Sequence, residues 1–74
     1  MTETELAFVR DVIRMLQDQA SEAKAGALNA GEFERGRRMA YYEVLSLIEQ
    51  QATAFGIPPK SLGLENFVAD RDVL

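Results

Sequence analysis

Apolar residues recur along this chain with two long helical periods. From residue 6 onward Leu6, Val9, Ile13, Leu16, Ala20, Ala23 and Ala27 alternate at steps of three and four, a heptad seam held over three repeats. Just ahead of it, Thr2 and Glu5 stand at the spacing of a capping box, in which a hydroxyl and a carboxylate each accept an orphan N–H. Glu3 and Glu5 place negative charge where the helix dipole favours it, and Gly26 reads as a stop. These signals predict a helix over 3–25. A second apolar set, Phe33, Ala40, Tyr41, Val44, Leu47, Ile48, Ala54 and Phe55, has the same periodicity. Asn29 followed by Glu32 again resembles a capping box, and Phe55-Gly56-Ile57-Pro58-Pro59 is strong punctuation at the far end. The second helix is expected over 30–55.

A connection of only a few residues forces the helices to lie antiparallel, so the expected class is all-α, with residues 1–56 forming a helical hairpin. Residues 57–74 carry Leu62, Leu64, Phe67, Val68, Val73 and Leu74 without a sustained period. They read as an irregular arm, with a short helical turn conceivable at 65–69. The arm packs on the hairpin or its dimer partner, or it serves as a docking peptide through Leu62, Leu64, Phe67 and Val68.

The apolar faces are wider than a hairpin needs. At 100° per residue the first seam spans about 100°, but Phe8, Val12 and Met15 extend it to about 180°. On the second helix Tyr41, Leu45 and Ala52 widen a strip centred on Val44. Leaving five large side chains wet would forfeit on the order of 10 kcal/mol, against a whole-domain stability of about 5–15 kcal/mol. Pairing two hairpins into a dimeric four-helix bundle is the natural remedy, with Phe8, Val12, Met15, Tyr41, Leu45 and Ile48 as the expected interface. Gly36, inside the second helix beside Phe33 and Ala40, is expected to mark the close approach of a neighbouring helix. Small residues near the turn (Ala20, Ala23, Ala27) and large ones at the open end would taper the bundle.

Composition narrows the chemistry. At 74 residues folding buries only roughly 60–65% of the open chain's surface. There is no cysteine, hence no disulfide staple, and no histidine, the commonest metal ligand and general base. Ser21, Ser46 and Ser61 have no histidine to activate them, and Glu22, Glu43 and Glu49 fall on polar sectors. Neither an enzyme, a cofactor nor a metal is therefore expected. Arg35, Arg37 and Arg38 are the densest positive charge and the candidate anion-binding cluster, but successive helical residues diverge by 100° and the net charge is −4. The duller reading pairs Glu34 with Arg38 and Glu32 with Arg35, and stacks Arg37 or Arg38 on a ring. Tyr41 and Tyr42 cannot form one stacking platform for the same angular reason and read as boundary residues. With no run of 18 apolar residues and no charged-then-apolar leader, a soluble, cytoplasmic protein is expected, with no membrane partner.

The leading functional expectation is thus a non-enzymatic protein-interaction module, a small homodimeric adaptor or regulator. A nucleic-acid-associated accessory protein using paired arginine clusters comes second. A carrier with an apolar slot comes third, and unfilled volume would be its first support.

Overall fold

The computed structural model describes residues 1–27 and 31–74. Two long helices dominate it, α1 (Glu3–Ala27) and α2 (Glu32–Ala54), and no strand occurs among the described residues. The start of α1 follows from its sequence. Glu5 N–H donates to the Thr2 hydroxyl at 3.1 Å, and Thr2 N–H donates to the Glu5 carboxylate at 2.8 Å. The Thr2 N–H is the main reason the Glu5 carboxyl lies below its ordinary range. Gly26 does not stop the helix, which runs through it to Ala27. A Cβ at Gly26 would come 3.1 Å from Glu34 Oε2, so the glycine admits a side chain of α2.

Gly31, which has no side chain to cap with, stands at the N-cap of α2; the expected cap Asn29 lies outside the described residues. The C-terminus closes as a Schellman motif. Ile57 N–H reaches Ala52 O at 2.8 Å, Gly56 N–H reaches Thr53 O at 3.1 Å, and Gly56 takes φ +69°. Gly26 lies beside Glu34 near the turn, while Ile13 packs with Ala52 toward the open end, so the helices are antiparallel.

The arm corrects the expectation of an irregular segment. A 3₁₀-helix covers Pro59–Leu62, ended by Gly63 at φ +74° with Leu64 N–H returned to Pro59 O at 2.9 Å. A single-turn helix α3 follows at Ala69–Asp72, sharing only Ala69 with the expected 65–69 turn. Both pieces fold back onto one face of the hairpin. Leu62 and Leu64 complete a core with Ile13 and Ala52, and Ala69 and Val73 complete another with Ala20 and Leu45.

Polar side chains of the long helices clamp α3 at both ends. Glu49 accepts the Ala69 N–H at 3.2 Å, and the Tyr42 hydroxyl donates to Asp70 at 2.7 Å. At the other end Arg38 Nε donates to Val73 O at 2.7 Å, and Lys24 Nζ lies 3.4 Å from the carbonyl oxygens of Arg71 and Asp72. An acid at the end with orphan N–H groups and bases at the end with orphan carbonyls is the arrangement a helix terminus favours.

One link in this arm titrates in an accessible range. Asp72 receives Arg71 on both carboxylate oxygens at 2.9 Å, and Val68 N–H at 2.9 Å. These donors, the arginine first, lower its pKa from 3.8 to about 2. A carboxyl with a depressed folded-state pKa stabilises the fold above its unfolded value and stops doing so as pH falls through the folded one. Asp72→Asn should therefore melt below the parent at pH 5–7. The gap between the two should close between pH 4 and pH 2; a gap independent of pH would show that the Asp72 charge holds nothing.

Candidate interaction surface

With the arm on one face of the hairpin, the opposite face is left bare. Along α1 it presents Phe8, Val12 and Met15, which are 68%, 39% and 48% exposed. Along α2 and at its C-cap it presents Val44, Leu47 and Phe55, at 41%, 57% and 76%. Between them, toward the open end, runs a groove of about 470 Å³, floored by Val9, Ile13, Leu16 and Ile48 and closed off by Leu62 of the arm. Gln51 contributes the only polar side chain among the residues lining it.

The seam predicted for α1 faces inward: Ile13, Ala20 and Ala23 are buried, and Leu6, Val9 and Leu16 half-buried. Phe8, Val12 and Met15 remain outside, as their position beyond that seam implies. On α2 the expectation is inverted. Leu45, placed in the dimer interface by the sequence, is 0% exposed and lies under Ala69 and Val73 of the arm. It cannot contribute to a contact between chains. Ile48 is half-buried in the groove floor. Tyr41 is half-buried too, its hydroxyl donating to Gln19 and its ring 5.5 Å beneath the Arg37 guanidinium. The strip centred on Val44, assigned to the contact with α1, is the one left open. Leu47 and Phe55 belong to that periodic set; their outward direction depends on which flank the arm covers, which periodicity does not encode.

The other candidate groups also move. Leu62 and Leu64 are buried core residues and Phe67 is half-buried against both clusters, so of the four docking candidates only Val68 is exposed. The arm covers the hairpin, one of the two readings expected for it, and Leu62 and Leu64 are taken up by that cover. Arg35, Arg37 and Arg38 do not assemble into an anion site. Arg37 pairs with Glu34 at 3.5 Å as well as stacking on Tyr41, Arg38 holds the Val73 carbonyl, and of the three only Arg35 is exposed. The sequence paired Glu34 with Arg38 at four residues; the pair formed is with Arg37 at three.

Gly36 is corrected as well. It lies within α2, exposed, and a Cβ there would meet nothing within 4 Å, so no helix of the same chain approaches it. Among the described residues no helix is long and apolar enough to cross a membrane, and no three acidic side chains gather as metal ligands would. No family model matches the chain, and neither a curated protein nor a solved structure does.

Proposed function

We propose that this chain is a non-enzymatic protein-interaction module that acts as a homodimer, two hairpins packing through their bare faces into a four-helix bundle. The observation that carries this reading is the continuous apolar face opposite the arm. Its size fits one occupant in particular. A compact monomer of 8.2 kDa exposes about 4,500 Å², whereas this chain exposes 5249 Å². The excess, on the order of 700 Å², is close to the roughly 800 Å² that each partner contributes to a stable interface. Its composition fits too, because the buried centre of a homodimer contact is more apolar than ordinary surface.

A small apolar ligand would also fit a volume of 470 Å³. Pockets that select such ligands orient them with a few convergent polar groups, and here Gln51 stands alone. A second copy needs no such groups, since the same side chains meet themselves across a two-fold axis.

The test is the mass in solution by light scattering over a dilution series. Twice 8.2 kDa, about 16 kDa, is expected at micromolar concentration and above. A mass of 8.2 kDa throughout the series would remove the reading. A dimer that dissociates when an apolar small molecule is added would point to the carrier instead.

A further inference from the structure

The bare face is apolar over only one half of its length. On α1 Phe8, Val12 and Met15 are followed along the same stripe by Gln19 and Glu22. On α2 Phe55, Leu47 and Val44 give way to Ala40 and Arg37 toward the turn. The two apolar halves lie side by side within one chain. Ile13 packs with Ala52 and Ala20 with Leu45, so each step along α1 is matched by a step back along α2. Counted from those contacts, Phe8 stands within a turn of the level of Phe55, Val12 within a turn of Gln51, and Met15 within a turn of Leu47. All of them belong to the open end.

We infer that the two copies meet with their open ends together, the two-fold axis running parallel to the helices down the middle of the bundle, so that α1 of each copy lies against α2 of the other. The inference rests on the homodimer proposed above and adds its direction. Rotation about that axis leaves every residue at its own level, so the levels within one chain become the contacts between two. Phe8 meets the partner's Phe55 as an aromatic pair. Val12 and Met15 lie against the partner's Gln51 and Leu47. The groove floored by Val9, Leu16 and Ile48 closes over its own copy and becomes the centre of the bundle. Toward the turn, Gln19 and Glu22 come opposite the partner's Val44 and Ala40, a polar margin of the kind that rims an interface.

A two-fold axis across the helices would instead set α1 on α1 and α2 on α2, with the turns at opposite ends. Centred on Val44, it offers Phe33 the partner's Phe55 but lays Phe8, Val12 and Met15 on the polar stretch from Gln19 onward. Centred on Val12, it keeps those three together but carries Leu47 and Val44 beyond the last turn of the partner's α2. Only the axis along the helices brings the apolar half of α1 and the apolar half of α2 under cover at once.

The native chain contains no cysteine, so single spin labels report this direction without competing sites. Glu3→Cys and Ala25→Cys mark exposed positions near the two ends of α1, about 33 Å apart along its axis, and neither lies on the apolar stripe. With the open ends together, the distance between the two labels of a dimer is set by bundle width alone, since neighbouring helices stand about 8–10 Å apart. Double electron–electron resonance should therefore give a distance below about 30 Å for both variants. Any axis across the helices places at least one of the two pairs about 33 Å or more apart. If native protein is dimeric by light scattering but either variant exceeds that length, the direction is wrong while the dimer stands. If native protein is monomeric, both fall.

Discussion

Removing residues 60–74 should abolish the cooperative thermal transition of the hairpin. Leu62, Leu64 and Val73 are buried, at 9%, 2% and 1% exposure. Losing three such side chains from the core forfeits about 5–9 kcal/mol. The whole stability of a domain this size is about 5–15 kcal/mol. The deletion also uncovers Ile13, Leu45 and Ala52, and it strips the partners from Glu49, Arg38 and Lys24. A two-helix remnant has no second layer to replace them, so circular dichroism should report a broad, shallow melt. A milder version of the same test is Leu64→Ala, for which a loss of about 2–5 kcal/mol is expected. An unchanged melting temperature after the deletion would return the arm to the role of a free docking segment.

The contrast between the arm and the two helices shows what a sequence of this kind declares. Thr2 and Glu5 recognise one another over three residues, and Gly56 and Ile57 close α2 over six, so both signals survive without any tertiary context. The heptad seam of α1 is equally local, and its inward residues follow directly from it. The arm is different in kind. The single turn of α3 is far too short to be stable alone, and no period announces it. It forms because Glu49, 20 residues earlier, accepts its first N–H, and because Arg38, 35 residues before Val73, holds a carbonyl at its end. Those partners are identifiable as acids and bases in the sequence, but nothing local says which helix end they serve.

The inversion on α2 has the same origin. Leu45 and Val44 are adjacent, and each sits on an apolar sector of a helix whose apolar arc is wider than one neighbour can cover. Width reveals that some flank is left over. Which flank depends on where Ala69 and Val73 come to rest. For Gly36 the spacing correctly placed it with Phe33 and Ala40, but the approaching helix assumed for it is absent from its own chain.

Leu47→Asp should halve the mass of the protein in solution while leaving its helix content unchanged, and Leu45→Asp should unfold it. Leu47 is 57% exposed, so a carboxylate there is already largely in water before association. In a two-fold interface the substitution appears twice, and losing two buried leucines at roughly 1.5–3 kcal/mol each raises the dissociation constant by a factor on the order of 10²–10⁴. Phe8→Asp, at a position 68% exposed across the groove, should act in the same direction. Leu45 is 0% exposed and packed under the arm, where a charge has neither water nor a partner, so the cost falls on the monomer itself. The pair of variants separates the two faces of one helix by readout: sedimentation or light scattering for Leu47, circular dichroism for Leu45. If Leu47→Asp left the mass of a dimer unchanged, the bare face would not be the one that associates. If Leu45→Asp folded normally and merely dissociated, the arm would not be its cover, and the placement of the bare face would be reversed.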